Sequence, residues 1–309
     1  MTTTKQSRDT SDKDPPSCRC SDNANPTNHP LPEIKPAHHA YRLPRGAFLG
    51  FNHCNLPACL LGASIYQEHP VRLELDGVHA LHRRLFEALD QLDDSPSRAR
   101  LFAAHMEAHF SLLHPQEAGA GSASARIRPR ANYLKLLRGW GFSSEGREGA
   151  VLKGWVESRF GLMTRYHKEA LTDPESAAYT RYLVERSAGL YGTHALESQL
   201  DLVYSYVQYE LARRYPGVSH FTLYRGANGV GAYELLQPTD SKHVMLLNNL
   251  SSFSMQHERA DEFGDRVLEV SVPVYKVFCL YGLLPGLLHG EDEVMVIGGV
   301  YQATSVQTH

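Results

Sequence analysis

The chain is expected to adopt an α+β fold in which helices come first and strands follow. Apolar residues recur at three- and four-residue spacing over 41–217, and β-branched and aromatic runs take over at Val218. Before them, residues 1–40 are rich in Pro, Asn, Asp, Ser and Thr and hold almost no large apolar side chains. Such a segment buries too little surface to offset chain entropy and reads as a disordered tail. The organisation is therefore a tail over 1–40, a mainly helical lobe over 41–217 and a β-rich core over 218–309, the last two forming one unit.

Each element has a local reason. Leu81, Leu85, Ala88, Leu89 and Leu92 make one helical stripe. Asp94-Ser95-Pro96 then caps and opens a second helix through Leu101, Phe102, Met106 and Phe110, and the two are expected to pack as a hairpin. After a loop with Gly119, Gly121, Arg126, Arg128 and Arg130, which reads as solvated, helices run over 133–138 and 150–158. Another starts at Asp173-Pro174. Leu196, Leu200, Val203, Val207 and Leu211 give the clearest stripe, ended by Pro216-Gly217. Strands are expected over 221–224, 244–250, 267–279 and 294–300, with 258–263 as the helical interruption and the stretch from Tyr233 irregular.

Bulk properties narrow the function. With 309 residues, 42% of them hydrophobic, the chain can bury a substantial core. Lys and Arg number 31 against 34 Asp and Glu, a net charge of -3, so no global charge draws it to nucleic acid or to an acidic membrane. The first residues lack an apolar h-region, and the run over 277–288 is broken by Gly282, Pro285 and Gly286, so neither a signal peptide nor a membrane span is expected. Five scattered cysteines suit reduced thiols and a cytoplasmic setting.

Three polar clusters flank the strand runs: Tyr224-Arg225-Gly226, Ser252-Phe253-Ser254 and Glu291-Asp292-Glu293. An arginine, a serine and alternating glutamates on a sheet cleft suit one task, holding a pyrophosphate dinucleotide and breaking its nicotinamide glycosidic bond. NAD+ would be the co-substrate. Its cleavage passes through an oxocarbenium-like ribose that needs fixed negative charge, and Glu293 is the candidate for that role. Strand alternation points Glu291 to the same face, about 6–7 Å away along the strand. Glu291 suits the orientation and deprotonation of an arginine acceptor, which is otherwise a protonated, poor nucleophile. Arg225 offers a fork for phosphate, Gly226 lets a ligand approach the backbone, Ser252 and Ser254 offer hydroxyls, and Phe253 offers a flat apolar surface for nicotinamide.

Other chemistry is disfavoured. Gly226, Gly229 and Gly231 precede no helix pattern and read as a turn rather than a phosphate loop. Cys18 and Cys20 lie in the tail, and His53, Cys54 and Cys59 make no paired Cys-x-x-Cys, so no metal is expected. Nor are the 17 histidines expected to present a helical His-x-x-x-His pair beside a glutamate. Trp140 and Trp155 read as core or lobe-interface anchors.

The order of Arg225, then Ser252 with Ser254, then Glu291 with Glu293 resembles the arginine-specific mono-ADP-ribosyltransferases of the Arg-Ser-Glu type. Their usual Ser-Thr-Ser has Phe253 in its middle here. Residues 256–273, with Glu258-Arg259-Ala260 and Val267-Leu268-Glu269-Val270, resemble the helix and strand that follow the serine motif in that group. Asn55-Leu56-Pro57-Ala58, residues 79–86 and residues 148–161 are similar to the dinitrogenase reductase ADP-ribosyltransferase family of nitrogen-fixing bacteria, a likeness running from about Phe51 onwards. The resemblance implies a helical lobe on a two-sheet core with NAD+ in the cleft between them. It also implies transfer of ADP-ribose to an arginine of dinitrogenase reductase, regulation by a PII-type signal protein, and reversal by a separate glycohydrolase. The turn over 283–290 would meet the protein substrate. An NAD glycohydrolase, a transferase to another acceptor, or a non-catalytic NAD- or ADP-ribose-binding module remain open from the residues alone.

Overall fold

Helices fill most of the chain between Ala58 and Arg214, and a sheet is built from His220 onwards. The computed structural model describes residues 40–112, 131–228, 234–238, 242–280, 282–284 and 293–306. The tail over 1–39, the arginines at 126, 128 and 130, the glycines at 229 and 231, Glu291 and most of the expected recognition turn lie outside the described residues.

Helices α1 (Ala58–Leu61), α2 (Ser64–Glu68), α3 (Val78–Leu81) and α4 (Arg83–Asp90) are short. The single stripe expected through Leu81 is split at His82, whose φ of -104° and ψ of 23° leave the helical region. In consequence Leu81 is 73% exposed while Leu85 and Leu89 are buried. Helix α5 (Ser95–Phe110) begins where its cap predicts: the Asp94 carboxylate accepts from the Ser97 N–H at 2.8 Å and proline occupies the first turn. It packs against α4, as the hairpin expectation has it. Contrary to the expectation for histidine, α5 carries His105 and His109 at i and i+4 with Glu107 between them.

Helices α6 (Tyr133–Phe142) and α7 (Arg147–Phe160) extend beyond their expected limits. Helix α8 (Ala177–Gly189) starts later than Asp173-Pro174. Asp173 closes a turn by accepting from Glu175 N–H at 2.9 Å, and Ser176 is the cap, its hydroxyl accepting from Tyr179 N–H at 3.1 Å. Helix α9 (Ala195–Arg214) buries Leu196, Leu200, Val203, Val207 and Leu211 completely. A buried ion pair ties it to α5: Arg98 donates from Nε to Glu210 Oε1 at 2.5 Å and from Nη2 to Oε2 at 3.1 Å. Trp155 is a core anchor whose indole N–H donates to Asp201 at 2.7 Å. Two short strands, β1 (Tyr166–His167) and β2 (Glu169–Ala170), pair separately.

The main sheet has six strands: β3 (His220–Ala227), β4 (Glu234–Pro238), β5 (Lys242–Ser254), β6 (Arg266–Pro273), β7 (Val277–Leu280) and β8 (Glu293–Val306). Their order is β4-β5-β3-β6-β8-β7, all antiparallel, with β5 also paired to β8. Helix α10 (His257–Asp261) links β5 to β6. Strand β4, irregular by its sequence pattern, is held by its ladder to β5 through pairs such as Leu235 with Met245. The expected strand over 267–279 is broken by a 3₁₀ turn at Val274–Lys276.

That break has a cause in β8. The β5–β8 register shifts between Leu247 and Leu250, Gly299 takes φ 121°, and a Cβ on Gly298 would lie 1.9 Å from the Asn248 carbonyl oxygen. The buried Lys276 ammonium donates to the Gly298 carbonyl at 2.6 Å. One edge of β8 pairs with β7 before this bulge and with β6 after it. The hydrogen-bonded network is thus one six-stranded sheet where two sheets were expected, with β5 paired to β8 on both sides of the bulge. Among the described residues no helix is long and apolar enough to cross a membrane.

Candidate active site

The site begins with the pairing of β5 and β8. Ser254 faces Glu293 and Ser252 faces Met295 in register, so Ser252, Ser254 and Glu293 share one face, with Ser252 diagonal to Glu293. The Ser252 hydroxyl donates to Glu293 Oε1 at 2.5 Å. Near the end of α6, the Trp140 indole N–H points at both, 2.8 Å from Ser252 Oγ and 3.0 Å from Glu293 Oε1. Two donors converging on one carboxylate oxygen fix its direction.

Arg225 reaches the same place from β3. That strand meets β5 through the pair Tyr224 and Ser254, one residue before Arg225. The Arg225 guanidinium donates to the Ser252 carbonyl and its central carbon lies 5.8 Å from the centre of the Phe253 ring. Arginine, serine and glutamate therefore line one cavity of about 450 Å³, together with Trp140, Ser144 and Phe263. A neighbouring hollow of about 710 Å³ shares Trp140, Arg225 and Ser252 and adds Lys153, Arg165 and Asn248. Both volumes lie in the range of ligand pockets.

The other expected residues fall as follows. Gly226 lines the cavity, but the space a Cβ would take is filled by the Ala260 carbonyl oxygen, 2.2 Å from that position, and by Phe263, so the close approach is made by the protein's own chain. Phe253 is buried at 4% exposure beneath Arg225 rather than offering an open face. The Ser254 hydroxyl accepts from Gln256 N–H at 3.0 Å as the chain turns toward α10.

Three contributors were absent from the sequence reading: Trp140 as a donor to the site, Glu145 lining both cavities and Lys153 lining the second. For Trp140 a signal existed, because a buried indole N–H needs an acceptor. Lys153 on α7 is buried, donates to the Tyr166 carbonyl at 3.1 Å and stands 6.0 Å from the Trp140 ring. Burial pushes its ammonium down to about 8, Glu145 opposing that shift and Arg225 adding to it. Burial first, and then the Glu293 charge, push the Cys279 thiol up to about 12, which keeps this neighbour a thiol and not a nucleophilic thiolate.

The chain is 39% identical over 254 residues to the NAD(+)--dinitrogen-reductase ADP-D-ribosyltransferase of Rhodospirillum rubrum, across 81% of this chain and 92% of that protein. No solved structure matches it. The family described as Dinitrogenase reductase ADP-ribosyltransferase (DRAT) matches residues 51–305, a span that includes Trp140, Arg225, Ser252 and Glu293. By the extent of both matches, the chain belongs to the dinitrogenase reductase ADP-ribosyltransferase family.

Proposed function

We propose that this protein transfers ADP-ribose from NAD+ to an arginine side chain of dinitrogenase reductase, releasing nicotinamide and switching nitrogenase off. Family membership supports the reaction, and the observation that carries the site is the Trp140–Ser252–Glu293 cluster at a cavity shared with Arg225. The helical lobe and the sheet would form the two walls of an NAD+ cleft. Free Cys54, Cys59 and Cys279 suit a reducing cytoplasm.

The chemistry follows from charge. Nicotinamide leaves as a neutral base, so positive charge grows on the ribose, and an ionised carboxylate held in place beforehand stabilises it without reorganisation. Glu293 is that group, with Ser252 and Trp140 holding its Oε1. Arg225 would grip the pyrophosphate through its planar fork. Lys153, in the adjoining hollow, adds positive charge on the same side. Phe253 supports the arginine from below, leaving the half-exposed Phe263 as the better surface for a flat ring. Glu291 would draw the proton from the acceptor guanidinium as its nitrogen attacks the ribose carbon. A PII-type signal protein is the proposed regulator.

The test is incubation with labelled NAD+ and purified dinitrogenase reductase, followed by mass-spectrometric mapping of the adduct. Label on one arginine is expected. Glu293→Gln should lower both transfer and nicotinamide release by about 10²–10³-fold. Glu291→Gln should lose transfer while keeping hydrolysis. Nicotinamide release without an adduct would make the protein a glycohydrolase, label on another residue would change the acceptor class, and no release at all would leave a binding module.

A further inference from the structure

We infer that His82, His105 and His109 form a zinc site joining α5 to the junction of α3 and α4. Helix α5 presents His105 and His109 one turn apart, so their rings stack at 5.4 Å with planes 11° apart. His82 approaches from the α3–α4 break, with its ring edge-on to both. One ring nitrogen from each of the three lies within 4.8 Å of the others, and His82 Nδ1 is 3.2 Å from His105 Nε2. A tetrahedral zinc with bonds of about 2.0–2.1 Å sets its ligand nitrogens about 3.3 Å apart, so one edge of the site is already at length and the His109 side closes by a rotamer adjustment.

The donor set narrows the metal. Imidazoles without a carboxylate suit zinc, copper or nickel and not magnesium or calcium, whose ligands are oxygens. Three protein ligands leave a fourth position, and the cluster opens on a hollow of about 360 Å³ lined also by Leu81, Arg83 and Arg84. The arginines at that rim favour an anion there, such as hydroxide, chloride or a carboxylate from outside. None of the three histidines lines the cavities around Glu293, which separates this metal from the transfer reaction. Without metal, His82 Nδ1 and His105 Nε2 share a hydrogen bond at 3.2 Å; a bound ion would replace that proton and draw in His109 as the third ligand. At the break between α3 and α4, His82 reaches His105 on α5. Helix α5 is tied to α9 through Arg98 and Glu210, about two turns before His105, so metal at the histidines would hold α5 at a second point along its length.

The experiment uses the full chain, stripped with a chelator and then titrated with Zn²⁺ and, separately, with Co²⁺ as a spectroscopic probe. Expected are one zinc retained per chain after desalting, the intense visible bands of four-coordinate cobalt, and a higher Tm with zinc. His82 is buried, so His82→Ala risks misfolding; His105→Gln and His109→Gln lie on the more open side and keep the test decisive. Each should weaken zinc binding by at least about tenfold, whereas the exposed His194→Gln should not. Wild-type chain that retains no zinc, or a His105→Gln/His109→Gln double variant that binds it as tightly as wild type, would overturn the assignment.

Discussion

Trp140 shows how one side chain can join the helical part to the chemistry of the sheet. Its indole N–H is shared between Ser252 Oγ and Glu293 Oε1, so Trp140→Phe removes a donor while leaving an aromatic ring in its place. Loss of one such hydrogen bond is worth about 0.5–1.5 kcal/mol, which predicts a fall in kcat of up to about tenfold. Because both act on the same carboxylate oxygen, the effects of Trp140→Phe and Ser252→Ala should be less than additive. Strict additivity in single-turnover NAD+ cleavage would separate the two residues. Gly226 makes a different demand: with the Ala260 oxygen 2.2 Å from the Cβ position, Gly226→Ala forces backbone to move. The expected cost is about 1–3 kcal/mol, read as a lower urea midpoint, and a neutral result would contradict the packing role.

Between elements, the buried Arg98–Glu210 pair is the contact whose removal is most informative. Both side chains are buried, and the Arg98 guanidinium is raised above its ordinary range by its hydrogen bonds to Glu210. Glu210→Ala leaves that cation without its carboxylate partner and should destabilise the fold by about 3–5 kcal/mol in equilibrium urea unfolding. A Glu210→Ala protein as stable as wild type would show that water or another group replaces the carboxylate. The same elements show what the sequence made legible. The Asp94 cap and the α9 stripe are local signals, each complete within a few residues, and both appear where the pattern places them. The order of Arg225, Ser252 and Glu293 on their strands was readable as a motif, and the structure places the three at one cavity. By contrast the break at His82, which meets His105, and the bulge at Gly298, which packs on Asn248, involve groups outside the local pattern that periodicity cannot sense, and strand β4 is held by its hairpin to β5 where its own pattern is irregular. For Trp140 the need for an acceptor was legible, but not which acceptors, since these belong to β5 and β8.

Across the whole molecule, two buried lysines give stability a defined dependence on pH. Lys276 sits under the bulge with its ammonium 5.5 Å from the Tyr66 ring and 5.7 Å from the Tyr301 ring, and burial pushes it down to about 7 from the ordinary 10.5. Lys153 is pushed down to about 8, also mainly by burial. Each unfolded lysine holds its proton up to about pH 10.5, whereas the folded one releases it earlier, so over the interval between those values the unfolded state binds more protons. Stability therefore rises with pH from about 7 towards 10 on account of these groups, and the penalty of burying the charge is fully present below the folded value. A single such group contributes a slope approaching about 1.4 kcal/mol per pH unit within its window. Lys276→Met removes the titrating amine, and the loss of a donor to Gly298 is an offset that does not change with pH. Urea midpoints measured from about pH 6 to about pH 9 should climb in wild type and climb less steeply in Lys276→Met, the two curves diverging above about pH 7. Parallel curves would mean that Lys276 keeps its proton in the fold throughout, with enough solvent or counter-charge at the bulge to hold it as an ordinary ammonium.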